Sequence, residues 1–165
     1  MDYWPNIAGV KWFVDDIFPK IREKVPSVQF QIVGSNPSSE VKALENIDGV
    51  SVTCFVDDVR GYIAAAEVCV IPLRIARGIQ NKVLEAMAMG KAVVCSAEAL
   101  EGIEARPGEE LLTAEDSVSF AQAVIQLLKN RNFQQTLENK ARNCMTKKYS
   151  WSNKLANLDL LLDRN

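Results

Sequence analysis

The sequence contains no histidine among its 165 residues. Histidine is the commonest acid–base residue near neutral pH and the commonest metal ligand, so its absence excludes histidine-based catalysis and histidine-held metal sites. Any proton transfer would fall to carboxylates, lysine, water or another polypeptide. An Asp-x-Asp pair is also lacking, and we therefore expect neither a bound metal ion nor a cofactor.

Cysteine is scarce and scattered. The four cysteines, Cys54, Cys69, Cys95 and Cys144, show no C-x-x-C spacing, and the first three fall inside apolar, strand-like runs. This pattern disfavours a disulfide framework or a zinc site and predicts buried, reduced thiols in a cytosolic protein.

An excess of positive charge and a long apolar run are lacking too. The net charge is −2 and the sequence pI is about 5.3, so the composition gives no support to a nucleic-acid partner. No stretch approaches the roughly 20 apolar residues of a membrane span, and the N-terminus lacks a basic-then-apolar signal pattern. We therefore expect a soluble, cytoplasmic protein.

Strand-like and helix-like segments alternate over the first two thirds of the chain. Residues 6–25 show helical apolar spacing, with Asn6 as the predicted N-cap, a kink or short final turn at Pro19 and an end at Pro26. Predicted strands are residues 28–34, 50–55, 68–72, 92–96 and 111–112, with helices at 39–46 and 59–66 and a loop at 97–108. Such alternation favours an α/β fold with an open, doubly wound, Rossmann-like and mostly parallel sheet.

The last third of the chain predicts helices only. From Asp116 onward, apolar residues follow three helical stripes, and the third begins after Ser150. The stripes are Val118, Ala121, Ile125 and Leu128; Phe133, Leu137, Ala141 and Cys144; and Leu155, Leu158, Leu161 and Leu162. We expect one domain over residues 1–165, whose C-terminal helix (149–165) closes the core or packs on another domain.

One segment, residues 77–90, joins a glycine turn to a helix directly after a predicted strand. Gly78 lies at the turn, the helix opens near Asn81, and Gly90 closes it. Backbone N–H groups in the first turn of a helix have no intrahelical partner, and the helix dipole is positive there. This arrangement predicts an anion site, with phosphate as the expected guest.

Two charged side chains lie on one side of that helix. Lys82 and Glu85 are three residues apart and therefore neighbours on the helix surface. Lys82 could meet a phosphate, while Glu85, one turn deeper, could accept hydrogen bonds from vicinal hydroxyls such as those of a ribose. An ordinary surface salt bridge between them is the alternative interpretation.

Residues 69–95 resemble the nucleotide-sugar domain of GT-B glycosyltransferases, most closely family 4 and sugar transferases of bacterial exopolysaccharide loci. The resemblance is specific in Pro72-Leu73-Arg74-Ile75-Ala76-Arg77-Gly78-Ile79-Gln80-Asn81-Lys82, in Leu84-Glu85-Ala86-Met87-Ala88-Met89-Gly90 and in Ala92-Val93-Val94. Weaker similarity extends to residues 1–6, 32–34, 107–110 and 149–151.

The resemblance implies a donor-binding half of a two-domain enzyme. In such enzymes the C-terminal Rossmann-like domain holds the nucleotide diphosphate sugar, and the second glutamate of a Glu-x7-Glu signature, matched here by Glu85, holds the ribose hydroxyls. The implied donor-binding residues are Arg74, Arg77, Gly78, Ile79, Gln80, Asn81, Lys82 and Glu85. No catalytic residue is assigned within this chain.

The sequence departs from the family in its charged residues. Arg77 stands where the first glutamate of the signature would be, and a guanidinium suits phosphate or an acidic sugar better than neutral hydroxyls. The arginine and lysine that family members often supply after their first strand have no match. We hypothesise that Arg74, Arg77 and Lys82 replace them as counter-charges of the diphosphate; alternatively, Arg74 only solvates its loop.

The sequence also departs from the family in extent. The family's domain begins with a central strand, and this sequence starts just after that strand, as a fragment would. A sheet without its central strand would contain unpaired backbone groups. Either the neighbouring strands close up, a loop fills the gap, or another copy lends a strand and forms a homodimer.

The resemblance implies the donor-binding half of a retaining, hexosyltransferase-like enzyme. It would move sugar from a nucleotide diphosphate sugar to a saccharide or lipid-linked acceptor in polysaccharide biosynthesis. The acceptor would be held by an N-terminal domain, so the isolated fragment should be inactive or nearly so. The full enzyme would be cytoplasmic or peripheral at the inner membrane.

Two other functions remain open. A sugar-nucleotide epimerase of the related two-domain type would use histidine and carboxylate groups in its cleft, and the missing histidines count against it. A non-catalytic nucleotide-binding or interaction module would instead dock a partner on its C-terminal helix.

Overall fold

The structure of this chain, a computed structural model, describes residues 3–150. The helices are α1 (Trp4–Trp12), α2 (Phe18–Lys24), α3 (Ser39–Ala43), α4 (Arg60–Ala65), α5 (Asn81–Ala88), α6 (Ala97–Leu100), α7 (Ser117–Lys129) and α8 (Arg131–Tyr149). The strands are β1 (Phe30–Ile32), β2 (Val50–Val52), β3 (Val68–Ile71), β4 (Ala92–Cys95) and β5 (Leu112–Thr113). A π-helical turn, Phe13–Ile17, joins α1 to α2, and a 3₁₀ turn, Leu44–Asn46, extends α3.

The strands form two parallel sheets instead of one. The first has the order β1-β2 and the second the order β3-β4-β5, and all the strand pairs in them are parallel. Helices connect successive strands, so the predicted α/β, Rossmann-like fold is confirmed. Within residues 3–150, β1 and β3 do not pair, and the neighbouring strands have therefore not closed up.

Strand β4 explains how the larger sheet is covered on both faces. Ala92 and Val94 belong to one apolar core, with Phe13, Phe18 and Phe120. Val93 and Cys95 belong to a second core, beneath α5 and α8. Because successive strand residues point to opposite faces, a strand between two cores must be apolar at every position. The charge-free run of residues 92–96 was predicted to be such a strand, and its four β4 residues are fully buried.

The N-terminal helical segment differs from its prediction at its start, whereas its predicted end at Pro26 is confirmed, since α2 ends at Lys24. It begins at Trp4, and Pro5 lies in its first turn. The N-cap residue is Tyr3, whose side chain makes no capping hydrogen bond. The prediction of Asn6 as N-cap was therefore wrong, since Asn6 already lies inside the helix. Pro19 lies in the first turn of α2, directly after the π-helical turn, where its missing N–H would be unpaired in any case.

Three other predictions need correction. The predicted loop 97–108 contains α6, whose N-cap Ser96 accepts a hydrogen bond from the Ala99 N–H at 3.3 Å. Val118 is 52% exposed, because α7 buries the adjacent stripe of Phe120, Ala121, Val124 and Leu127. Cys54 is exposed, whereas Cys95 and Cys144 are buried as predicted. The third predicted C-terminal helix lies outside the described residues.

A buried glycine sets the distance between α1 and the end of β3. A Cβ atom on Gly9 would lie 2.6 Å from the carbonyl oxygen of Pro72, the residue that follows β3. Such a contact is far shorter than van der Waals distance, and backbone atoms cannot swing away as side chains do. Only glycine therefore lets α1 lie this close to the carboxyl end of β3.

Gly9→Ala should destabilise the protein by about 1–3 kcal/mol, since the added methyl forces the helix off the strand. Gly61→Ala is the matched control, because Gly61 lies inside α4 and a Cβ there would meet nothing within 4 Å. That control should be neutral or stabilise by about 0.5–1 kcal/mol. Urea unfolding measures both values, and equal effects of the two substitutions would contradict the close approach.

The cysteines should differ in thiol reactivity at pH 8. Burial raises the pKa of Cys69 to about 11 and that of Cys95 to about 12, so both stay protonated and unreactive. Titration of the native protein with Ellman's reagent should show one fast thiol, and Cys54→Ser should abolish that phase. Fast labelling of Cys95 in the folded protein would contradict the burial of β4.

Candidate functional site

The carboxyl end of β3 and the start of α5 form the centre of the candidate site. Strand β3 ends at Ile71 and α5 begins at Asn81. The N-cap residue, Gln80, makes no capping hydrogen bond with its side chain. Its side-chain amide instead donates to the carbonyl of Gly78 at 3.1 Å. Gly78 has a φ of +69°, a conformation that favours glycine. The predicted glycine turn and helix start are confirmed.

Lys82 and Glu85 do not form the surface salt bridge that was the alternative interpretation. Among the ion pairs of residues 3–150, none joins these two side chains. The Lys82 ammonium instead donates to the side-chain oxygen of Asn6 at 2.8 Å. Asn6 belongs to the first turn of α1, so the close approach at Gly9 brings a polar partner to the start of α5.

Burial and charge act in opposite directions on Lys82. Surrounding protein atoms lower the pKa of Lys82, and the nearby Glu85 carboxylate opposes that shift. A partly desolvated ammonium without a paired carboxylate gains from a bound anion, because the anion restores the stabilisation lost with water. The start of α5 thus offers backbone N–H groups and one available cation together.

A cleft of about 850 Å³ runs from this point between the two sheets. Lys82 and Glu85 line it together with Asn6, Pro72 and Leu73. The prediction that the ammonium and the carboxylate face one cleft is therefore confirmed. Strands β1 and β3 form the walls farther along.

The structure does not gather all the predicted site residues into that cleft. The exposed rim above it carries Arg77, Gly78, Ile79 and Asn81, while Gln80 is half-buried. The guanidinium of Arg74 lies 5.7 Å from the ring centroid of Trp12 in α1, a cation–π distance. Arg74 is therefore held against α1 and does more than solvate its loop.

Two residues at this end of the sheet were not recognised as site residues from the sequence. Ser96, which is 3% exposed, donates a hydrogen bond to the carbonyl of Leu73 and so ties the end of β4 to the loop after β3. Serine before a short apolar run is a recognised N-cap signal and could have revealed α6. The role of Asn6 depends on a partner 76 residues away, which no local pattern discloses.

The segment after α6 borders the same rim. A Cβ atom on Gly102 would lie 3.4 Å from the Ile79 side chain. The 97–108 segment therefore lies at the rim that carries the start of α5. In the part of the chain described, no cluster of three or more potential metal ligands is present. No helix within residues 3–150 is long and apolar enough to cross a bilayer.

Known proteins share this sequence pattern and this fold. The family described as "Glycosyl transferases group 1" matches residues 1–130. An uncharacterized 44.6 kDa protein in the cps region of Klebsiella pneumoniae is 26% identical over 133 residues, which cover 76% of this chain. The chain spans only 34% of that relative's length.

Solved structures agree on the fold. The C-terminal domain of a glycosyl transferase group 1 family protein, LpcC from Francisella tularensis, matches with a TM-score of 0.75 and 18% identity, covering 87% of this chain and 80% of that one. TarM from S. aureus matches with a TM-score of 0.78 and 16% identity, covering 94% of this chain and 33% of that one. The chain therefore belongs to the Glycosyl transferases group 1 family and has the fold of a GT-B glycosyltransferase domain.

Proposed function

We propose that this chain is the donor-binding half of a retaining glycosyltransferase, which moves a sugar from a nucleotide diphosphate sugar to a saccharide or lipid-linked acceptor. The observation that carries the proposal is that Lys82 and Glu85 both line one cleft, beside the start of α5. A cation and helix N–H groups suit a diphosphate. A carboxylate one turn deeper suits the two hydroxyls of a ribose.

The chemistry assigned to these residues is electrostatic. When the bond between the anomeric carbon and the diphosphate breaks, the electron pair leaves with the diphosphate oxygen, where negative charge develops. The N–H groups at the start of α5 and the Lys82 ammonium stabilise that charge, and their positions are fixed before the reaction. Arg77, which is exposed on the rim, would add a second cation for phosphate or an acidic sugar.

The proposal places acceptor binding and the acceptor's reacting hydroxyl on a separate N-terminal domain. The isolated chain is then expected to bind nucleotide and to turn over sugar poorly or not at all. UDP is the first nucleotide to test, since the similar TarM structure contains UDP. The relative from a cps region supports a role in polysaccharide biosynthesis. Binding is proposed to need no metal, so EDTA should leave the affinity unchanged.

Glu85→Ala should weaken nucleotide binding about ten- to hundredfold, because hydrogen bonds to a charged group are lost. Calorimetric titration with UDP, GDP and ADP identifies the nucleotide that binds most tightly. Its 2′-deoxy form should bind more weakly to the wild type but not to Glu85→Ala, since the carboxylate that reads the hydroxyl is gone. Glu23→Ala, at an exposed position near the end of α2, is the matched control and should bind like wild type.

Three results of that titration would count against the assignment. Unchanged affinity in Glu85→Ala would remove the ribose role of Glu85. An undiminished preference for the 2′-hydroxyl in the variant would place ribose elsewhere. No saturable binding of any of the three nucleotides to the wild type would contradict donor binding altogether.

Glu85→Gln should lower the pKa of Lys82 further. The carboxylate opposes the shift caused by burial, so neutralising it leaves burial unopposed. The ammonium would then lose its proton at lower pH than in the wild type, a shift that an NMR titration of the Lys82 Nζ signal measures. Glu23→Gln should leave that titration unchanged. An equal titration in wild type and Glu85→Gln would show that the two side chains do not face each other.

A further inference from the structure

The side chain of Asn6 makes its one hydrogen bond within residues 3–150 to a residue of the candidate site. Its amide oxygen accepts from the Lys82 ammonium at 2.8 Å, across 76 positions of sequence. The backbone N–H of Asn6 is already paired with the carbonyl of Tyr3 at 3.0 Å, and the cap of α1 involves no side chain. The Asn6 amide therefore serves the contact with Lys82 and not the start of its own helix.

The chemistry of the two groups fixes the direction of this hydrogen bond. An ammonium has donors only, whereas a side-chain amide offers one oxygen that accepts. A charge-assisted bond of this kind is shorter and stronger than a neutral one. It holds the end of a long, flexible side chain in one place without cancelling its charge, because the amide is neutral. An anion that reaches Lys82 therefore meets an uncancelled positive charge in a fixed position.

The packing of α1 brings the Asn6 amide to this position. Asn6 and Gly9 are three residues apart, so they are neighbours on the helix surface. Gly9 lies against Pro72, where an added Cβ atom would be 2.6 Å from the carbonyl oxygen. The side of α1 that carries Asn6 is therefore held against the end of β3, from which the chain continues to α5. Asn6, Lys82 and Glu85 line the same cleft.

Asparagine is not the residue that would best stabilise the start of α1. The positive end of the helix dipole favours a carboxylate in the first turn, and α1 has no acidic residue there. An aspartate at position 6 would have nearly the same shape and a better interaction with the helix end, but it would neutralise Lys82. The neutral amide thus meets the requirement of the cation and not that of the helix. Such departures from local rules are expected at functional sites.

Glu85 is the carboxylate whose charge acts on Lys82. It opposes the fall in the Lys82 pKa that burial causes, yet the two side chains form no ion pair within residues 3–150. Residues three apart on a helix are neighbours, so an unrestrained Lys82 would turn toward Glu85. The hydrogen bond to Asn6 competes with that contact and keeps the ammonium and the carboxylate apart. Each is then available to its own part of a ligand.

We infer that Asn6 is a positioning residue of the anion site, which holds the Lys82 ammonium in the cleft and apart from Glu85, so that a diphosphate meets the cation while hydroxyl groups meet the carboxylate. Asn6 acts through Lys82 and is assigned no contact with the ligand. The identity of the ligand as a nucleoside diphosphate group rests on the proposed function. The positioning itself depends only on the contacts between α1 and α5.

Asn6→Asp separates this role from a structural one. If Asn6 served only the start of α1, aspartate would keep or raise Tm and leave anion binding unchanged. The positioning role also predicts an equal or higher Tm, but binding of inorganic pyrophosphate should fall at least about tenfold, because the added carboxylate neutralises the ammonium. Calorimetric titration with pyrophosphate at low ionic strength measures the affinity, and thermal unfolding measures Tm.

Asn132→Asp is the matched control. Asn132 lies exposed in the first turn of α8 and outside the residues that line the cleft. The variant therefore adds the same charge at the same kind of helix position. It should keep the pyrophosphate affinity within about twofold of wild type, since solvent and salt screen an exposed charge away from the cleft. A fall equal to that of Asn6→Asp would show a general effect of net charge and would overturn the inference.

The titration of Lys82 in the absence of any ligand reports the contact directly. A carboxylate at position 6 favours the charged form of the ammonium, so Asn6→Asp should raise the pKa of Lys82. Asn132→Asp should leave that pKa unchanged. The NMR signal of the Lys82 Nζ atom, followed as the pH is raised, measures both. An equal Lys82 pKa in wild type and Asn6→Asp would disprove the contact on which the inference depends.

A double-mutant cycle tests whether Asn6 acts through Lys82. Asn6→Ala should weaken pyrophosphate binding about three- to tenfold in the wild type. In a protein that carries Lys82→Met, the same substitution should change the affinity less than about twofold, because no ammonium is left to position. Equal losses in both backgrounds would show that Asn6 acts on its own and would overturn the positioning role. If pyrophosphate binding to Lys82→Met is too weak to measure, the Lys82 titration decides.

The choice of probes separates this inference from the proposed function. Pyrophosphate binding without UDP binding would contradict a UDP-sugar donor and leave the positioning of Lys82 intact. UDP and pyrophosphate affinities that are equal in wild type and Asn6→Asp would overturn the inference and leave donor binding intact. A fall in Tm that accompanies the loss of affinity in Asn6→Asp would indicate a structural role and overturn the inference. A wild type that binds neither probe would contradict both.

Discussion

The pairing of β3, β4 and β5 in parallel is the constraint on which the candidate site depends. Parallel pairing brings the carboxyl ends of all three strands to one edge of the sheet, and ligands of doubly wound folds bind at that edge. Burial of β4 on both faces fixes this sheet rigidly between two cores. The loop after β3, the start of α5 and the start of α6 therefore share a rim. The side chains that these three segments carry determine what the rim can bind.

The local architecture of the site could be predicted from sequence because its signals are local. Gly78, the start at Asn81 and the charge-free β4 run each reflect one backbone requirement, and the structure has all three. The position of Asn6 could not be predicted in the same way. Its capping potential is visible in the sequence, but its contact with Lys82 depends on how closely α1 approaches Pro72, which Gly9 permits. That approach is a tertiary property.

The predicted face of α7 shows a second limit. Periodicity identifies an apolar stripe but does not choose between adjacent stripes when both are apolar. The structure buries Phe120, Val124 and Leu127, and it leaves Val118 half in solvent. The capping box of Asp116 and Ser119 fixes where the helix begins. The large Phe120 ring then fixes its rotation by packing edge-on against Phe13 at 5.9 Å.

The cleft that separates the two sheets is also lined by the charged side chains of the candidate site. Lys82 and Glu85 line the same space as the free edges of β1 and β3. Burial beside that space lowers the pKa of the Lys82 ammonium, and the Glu85 carboxylate opposes the shift. Additional desolvation makes an unpaired cation costlier and a bound anion more favourable. An anion bound at the start of α5 would therefore restore the stabilisation that the Lys82 ammonium loses with water.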